Sequence, residues 1–487
     1  MGKSTLIGAA VAAVIVIGVI LYAAVGNGGK GTGTPNAIGA LNATTSAAPQ
    51  NQTSGQKSEP AACASQNLTP EQCTSYCNSN PAACESNGSG GQSVQGNSTG
   101  NYTVGQPKNS TGGLRDYSLP ACGSSKTYFS TTPISENNFT AFAPLGWMSP
   151  GGHVIPVNHG AFYLRVASQQ SQDNFTTANV SVLSPGNVTV FEIVGQQYLG
   201  SGQPSDYAIY FSPCANVTFY FGHVQVLAPE LANNYTAPFA NCMNTTANTA
   251  QLRVCQKQMS VKLHTGELIG YIGGHPTGGG GGVAAMDLGV YDYLNPALGF
   301  ANQSRYDIDE LHAACPIDYF TASAQSYLYA HIGIANISGT AQPACGTNMR
   351  DIAGSAQGNW FSKGTPVPYI NEGLLMSLSP FVLSPNLDVF SVGSTAGVPG
   401  LAGVTYYFTP AGSGNVNTAF SGVAANGQIH CYSALNDSYD VSQYSQVSGR
   451  ILLQLVNSSA VRIEYQNTNG CGSGPWSFTQ NSAELYR

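Results

Sequence analysis

Residues 216–227 read NVTFYFGHVQVL, a run in which β-branched and aromatic side chains alternate with their neighbours. Alternation with a period of two puts successive side chains on opposite faces of a strand, and these residue types suit a pleated, half-buried surface. The pattern recurs upstream in AFYLRV (161–166), NVTVFEIV (187–194) and YAIYFS (207–212), and downstream in ELIGYIGG (267–274) and AAMDLGVYDY (284–293). Gly, Pro and Asn break these runs, as turns require. A second block repeats the pattern in GVTYYFT (403–409), GQIHCYS (427–433), RILLQLV (450–456), AVRIEYQ (460–466) and WSFTQ (476–480), and reads as an antiparallel meander or barrel. The one stretch of helical character is SRYDIDELHAA (304–314). The fold class is therefore mainly β, with one folded region over 115–340 and a second, smaller antiparallel domain over 341–487.

The first 114 residues have a different character. Residues 6–25 read LIGAAVAAVIVIGVILYAAV, without a single charge. As a helix rising 1.5 Å per residue this run is about 30 Å long, the thickness of a bilayer's hydrocarbon core. It is longer than a typical signal-peptide core and has no clear small-x-small cleavage site after it, so it reads as an uncleaved signal anchor. Lys3 and the terminal amine then place residues 1–5 in the cytoplasm. The expected location is the cell membrane, crossed once, with the bulk of the chain extracellular. Residues 26–114, rich in Gly, Ser, Thr, Asn and Gln, cannot bury enough apolar surface to offset their ordering entropy and are expected to form a disordered tether. Within the tether Cys63, Cys73, Cys77 and Cys84 suggest a small two-disulfide knot (63–84), with a CxxxC-type zinc site as the alternative.

Composition agrees with export. Only 8% of the 487 residues are charged, 16 Lys and Arg against 23 Asp and Glu, about a third of the ~25% usual in soluble domains. A nucleic-acid partner, which would need clustered cations, is excluded on that basis. The chain holds eighteen Asn-x-Ser/Thr sites, against about six or seven expected from composition alone. Asn174, Asn187, Asn216 and Asn336 are glycosylation candidates within the first folded region. Twelve cysteines, an even number, fit a disulfide framework in an oxidising compartment. Cys242 with Cys255 would close a short loop, and Cys431 with Cys471 would staple the last domain, although sequence alone does not set connectivity.

Four features of the first folded region come in a particular order. The segment PLGWMSPGGHVIPVNHGAFYL (144–164) brings His153 and His159, and YFGHVQVL (220–227) brings His223. VKLHTGELIGYIGG (261–274) follows, then a glycine run (273–282) expected to form a mobile loop or tight approach, and AAMDLGVYD with Asp287. Over about residues 130–295 this order resembles the lysostaphin-type (LytM-like) zinc metallopeptidases, whose small β-barrel cuts peptidoglycan cross-links. In that family an early His-x-x-x-Asp supplies two zinc ligands. A Tyr-x-His-Leu segment supplies a histidine that assists catalysis, a glycine-rich hairpin follows, and a closing His-x-His-Phe-Glu supplies a helper histidine and the third ligand.

Carried over residue by residue, the resemblance implies His159 as first ligand, His223 as the catalytic histidine and Asp287 at the third ligand position. It also marks departures: Tyr163 stands where the partner aspartate would be, and Ala285 replaces the helper histidine. His153, His159 and Asp287 could still form a two-histidine, one-carboxylate zinc shell with an open position for water, and His223 could serve as base or fourth ligand. The alternative is that these are hydrogen-bonded barrel residues, with Asp287 capping a strand end. Asp307, Asp309, Glu310 and His312 are expected on a solvated helix face.

Three functions follow as expectations. The first is a membrane-anchored surface protein with a divergent metallopeptidase-like domain that binds cell-envelope polymer or a surface protein. The second is an active zinc metallopeptidase with an altered ligand set. The third is a structural surface glycoprotein. The C-terminal domain suits ligand binding or packing against the barrel.

Overall fold

A computed structural model describes residues 119–487, apart from 150–152, 166–178, 200–205, 237–240, 248–249, 274, 277–281, 284, 335–336, 342 and 439–444. The expected cytoplasmic end, membrane span, tether and cysteine-rich knot lie outside the described residues, as do Asn174, Asn336 and most of the glycine run. Among the described residues no helix is long and apolar enough to cross a membrane.

The alternating runs of the first region build one antiparallel sheet of eight strands. In chain order these are β1 (Phe139–Ala143), β2 (His159–Leu164), β3 (Val188–Tyr198), β4 (Asp206–Cys214), β5 (Val217–Val224), β6 (Asn241–Ala247), β7 (Ala250–Leu263) and β8 (Ala285–Asp292). Their order across the sheet is β1-β2-β8-β5-β4-β3-β7-β6. The last strand in sequence therefore sits in the middle, bonded to β2 and β5, and every residue of β8 is buried.

The two faces of the sheet have separate partners. Met286, Leu288 and Val290 of β8 join Phe162, Ile209, Phe219 and Phe221 in the main core. There they meet Val180, Val182, Ile269 and Ile272 of a three-stranded sheet, formed by Val180–Leu183, Leu268–Ile272 and Val226–Leu227, and Leu328 of the Ala322–Ala330 helix. Full burial of each such side chain stabilises the fold by about 1.5–3 kcal/mol. The opposite face carries Phe191, Tyr198, Tyr210, Tyr220 and Tyr291, a second cluster rich in tyrosine.

The second block folds as a ten-stranded antiparallel sheet running from Gly358–Ser362 to Ala483–Tyr486 in sequence. Its own core holds Trp360, Phe390, Phe408, Phe420 and Tyr432. Both sheets belong to one compact unit. Phe381, Val382 and Leu383 of the second block enter the core of the first, and the Phe381 ring meets Trp147 edge-on at 5.6 Å. A Cys315–Cys345 disulfide spans the expected boundary at 340/341.

Among the described residues three more disulfides occur, Cys122–Cys214, Cys242–Cys255 and Cys431–Cys471. Cys242 and Cys255 are directly opposed on β6 and β7, so they tie adjacent strands. Of these four, the bridge closing the 92-residue separation from Cys122 to Cys214 restrains the unfolded chain most, by roughly 4–5 kcal/mol on loop-entropy grounds.

The expected 304–314 helix is corrected to two short pieces, a 3-10 turn over Gln303–Arg305 and a single α-turn over Ile308–Leu311. Asp307 ends the continuity: its side chain accepts the Glu310 N–H at 2.8 Å and caps a new helix start. Nor is this a solvated face, for Asp309 is buried against the Tyr293 hydroxyl and Glu310 accepts from Tyr369. The longer helices, Pro229–Tyr235 and Ala322–Ala330, arise in stretches whose sequence gives no clear helical period.

Candidate functional site

The tyrosine-lined face of the eight-stranded sheet also carries the ionisable residues. Asp287 on β8 is paired in register with Ala161 on β2 and with Gly222 on β5. His159 at the start of β2 lies opposite Gly289, two residues along β8 and hence on the same face as Asp287. His223 would point to the opposite face if β5 ran regularly, because Phe219 and Phe221 do. It does not, because β4 and β5 slip register there: Ile209 opposes Phe221 while Tyr207 opposes Val224. Gly222 and His223 thus share the place opposite Ala208, a β-bulge that turns His223 towards Asp287. His223 takes the left-handed conformation this needs, at φ 66°.

Glycine at 222 is required by the site itself. A Cβ there would stand 2.8 Å from Asp287 Oδ2 and 3.1 Å from its Cβ, so a side chain would displace the carboxylate. Gly289 similarly leaves room for the Tyr220 ring, which packs 5.9 Å from the ring of His159.

The side chains form a continuous chain of contacts. Asp206 Oδ2 lies 3.0 Å from His223 Nδ1, His223 Nε2 lies 3.2 Å from Asp287 Oδ2, and Asp287 Oδ1 lies 3.6 Å from His159 Nδ1. The His153 and His159 rings meet edge-on at 5.3 Å. His159, His223, Asp287 and Asp206 are all buried. Burial opposes protonation of His223, but the carboxylates of Asp206 and Asp287 on either side outweigh it and hold the imidazolium well above the usual histidine range. For Asp287, burial opposes ionisation, and the neighbouring His159, His223 and His153 overcome it, holding the carboxyl well below the usual range. His153 is pushed the other way, down to about 3, by burial first and then by the positive charge of His159 and His223.

Does this set suit zinc? Two ligands on one tetrahedral zinc, each about 2.0–2.1 Å from the metal, stand roughly 3.3–3.5 Å apart. The 3.6 Å between His159 and Asp287 is close to that spacing, and imidazole and carboxylate are zinc donors. Among the described residues no three His, Cys, Asp or Glu side chains yet surround a single point as ligands do. His223, paired through both nitrogens, is spoken for as a hydrogen-bond donor rather than a ligand.

All four residues singled out in the sequence, His153, His159, His223 and Asp287, come together. Tyr163 and Ala285, the two positions that depart from the metallopeptidase pattern, face each other across β2 and β8. Asp206 is the member that sequence reasoning missed, since a lone aspartate before YAIYFS carries no motif. The Gly-His pair inside a strand run was a usable sign of a bulge. The second block also reaches the site: Glu372 Oε2, on the 3-10 turn before the strand Leu375–Phe381, accepts the N–H groups of Val154 (2.5 Å) and Ile155 (3.2 Å), just after His153.

Elsewhere, Asn187 is exposed with its side chain accepting from the Thr265 N–H, and Asn216 occupies a turn at φ 69°. No family model, curated protein or solved structure matches this chain.

Proposed function

We propose that the chain is a membrane-anchored, extracytoplasmic surface protein whose first β-sheet region is a divergent lysostaphin-type domain, and that its His/Asp cluster is a zinc-binding hydrolytic centre. The apolar run at 6–25, the density of Asn-x-Ser/Thr sites and the disulfides support the location. The convergence of His153, His159, His223 and Asp287 on one sheet face supports the chemistry.

His159 and Asp287, 3.6 Å apart, would supply the first two ligands, and His153, whose ring lies 5.3 Å from that of His159, would have to move to supply the third. Zinc in such a shell supplies Lewis-acid polarisation and a nucleophile available near neutral pH. Asp206 accepts the Nδ1–H of His223 and so fixes the direction of its Nε2–H. Held protonated between two carboxylates, His223 donates its Nε2–H to Asp287 and so orients that carboxylate within the cluster. The substrate class is an amide bond of a cell-envelope polymer or a surface peptide.

A second reading, a binding module on the same scaffold, is favoured by two observations. Ala285 leaves no helper histidine, and both Asp287 oxygens are engaged by imidazoles. One experiment separates the two. Full-length protein equilibrated with zinc and freed of excess metal is expected to retain about one zinc per chain. His159→Ala should lose it and His264→Ala, on an exposed histidine, should keep it. Absence of stoichiometric zinc in the unaltered protein would remove the hydrolytic reading and leave the binding module.

A further inference from the structure

The three tryptophans of the chain divide sharply. Trp147 and Trp360 are buried, whereas Trp476 is partly exposed in a shallow pocket of about 620 Å³ at the end of the second sheet. Its lining mixes the apolar Trp476, Pro475, Val416 and Ile429 with the polar Asn415, Gln428 and Ser473, and none of the lining residues is charged.

The walls of the pocket are cross-linked. Trp476 donates its indole N–H to the Cys471 carbonyl at 2.6 Å, which fixes the ring plane and spends its one polar atom inside the fold. Cys471 is joined to Cys431, whose N–H is held by the Asn415 carbonyl at 2.8 Å, so both walls are tied to one disulfide. Leu452 and Phe478 join Trp476 and the disulfide in one apolar cluster. Gly472 and Gly474, at φ 57° and 71°, give the wall a turn that residues with a Cβ adopt poorly. A Cβ on Gly474 would rest 3.7 Å from the indole, so glycine there keeps the ring clear.

This combination selects a ligand chemistry. A fixed aromatic plane offers an apolar, electron-rich surface to the C–H face of a sugar ring. Amide side chains at its edge present paired donors and acceptors of the kind that neighbouring hydroxyls need. The lack of charge disfavours anionic or cationic ligands, which would lose hydration without an ionic partner. We infer that this pocket of the C-terminal sheet is a binding site for a neutral saccharide, stacked on Trp476 and hydrogen-bonded by Asn415 and Gln428. The site is separate from the His/Asp cluster and does not depend on whether that cluster binds metal. Its preorganised walls reduce the ordering cost of binding, and its small area suits the weak, multivalent attachment of a surface protein to a polymer.

The test uses the full-length chain carrying 5-fluorotryptophan, in a detergent without a sugar headgroup, so that each indole gives its own fluorine resonance. The probes are mannotriose, cellotriose and chitotriose. A saturable shift of the Trp476 resonance, with the Trp147 and Trp360 resonances unmoved, is expected with at least one of them. Mannotriose would indicate an N-linked glycan as the source, and the β-linked sugars an envelope polymer. Asn415→Ala should weaken binding about three- to tenfold, the loss of a neutral hydrogen bond, while leaving the two buried resonances in place as evidence of an intact fold. No response to any trisaccharide up to its solubility limit, or a response only to a proline-containing peptide, would overturn the assignment.

Discussion

The two sheets bury ionisable side chains to opposite ends. In the ten-stranded sheet each one is used singly to hold a loop. Asp388 accepts the Phe420 N–H at 3.0 Å, Glu464 accepts the Thr479 N–H at 2.7 Å, and His430 contacts the Thr418 hydroxyl at 2.9 Å. In the eight-stranded sheet Asp206, His223, Asp287 and His159 are spent mainly on one another. A carboxylate that caps a loop needs only a backbone donor, and such hydrogen bonds are common wherever strands end. A buried chain of alternating charge incurs desolvation at every member and is a weak way to gain stability. Its persistence in a chain that is only 8% charged marks the first sheet as the place where charge has a task beyond folding.

That contrast can be broken most directly at its centre. Asp287→Ala removes the residue that, among those described, pairs with both His159 and His223. Leaving a buried imidazolium with a single partner is expected to lower unfolding free energy by about 3–5 kcal/mol, measured by denaturant titration, and to abolish zinc retention. Glu464→Gln in the second sheet should cost about 1–2 kcal/mol, since the backbone bond can be kept by the amide oxygen, and should leave zinc retention untouched. Equal losses of stability and metal from both variants would erase the distinction between the sheets.

Gly222→Ala probes the bulge with a smaller effect. The added methyl meets the Asp287 carboxylate at 2.8 Å, so an overpacking cost of about 1–3 kcal/mol is expected. Metal retention should fall more than that stability loss implies, because the carboxylate has to move. Gly266→Ala is the control: its Cβ meets nothing, although its φ of 84° carries backbone strain. If both substitutions reduce stability alike and neither alters zinc retention, the close approach at Gly222 has no bearing on the site.

How much of this was legible beforehand follows from the range of each signal. Period-two alternation over 216–227 marked a strand because strand geometry is local. The placement of β8 between β2 and β5 was not legible, since pairing partners 65 to 130 residues away leave no local trace. Among site residues, His153, His159, His223 and Asp287 stood out because imidazoles and carboxylates are scarce here. Asp206 did not, because its role exists only once the bulge turns His223 towards it. The helix expected at 304–314 failed for a different reason: its acidic residues serve as a cap and as buried acceptors, and side-chain bonds of that kind compete with a helical period.

The smallest expected effect joins the two sheets. Glu372 belongs to the second sheet's region yet accepts the N–H groups of Val154 and Ile155 beside His153. Burial pushes its carboxyl up to about 8, although both backbone hydrogen bonds favour the charged form. The folded chain therefore holds a proton there that the unfolded chain releases near pH 4.5. The stability tied to that proton is fully present below about pH 4.5 and is lost as pH rises to about 8. His223 shifts in the same direction, so the slope of the whole protein mixes both groups. Glu372→Gln isolates one of them: its amide keeps an acceptor but does not titrate. The difference in unfolding free energy between variant and parent should move by about 1 kcal/mol or more in the variant's favour between pH 5 and pH 8.5. A difference that stays constant over that range would mean that Glu372 is ionised throughout and that the second sheet holds the His153 segment with a full charge.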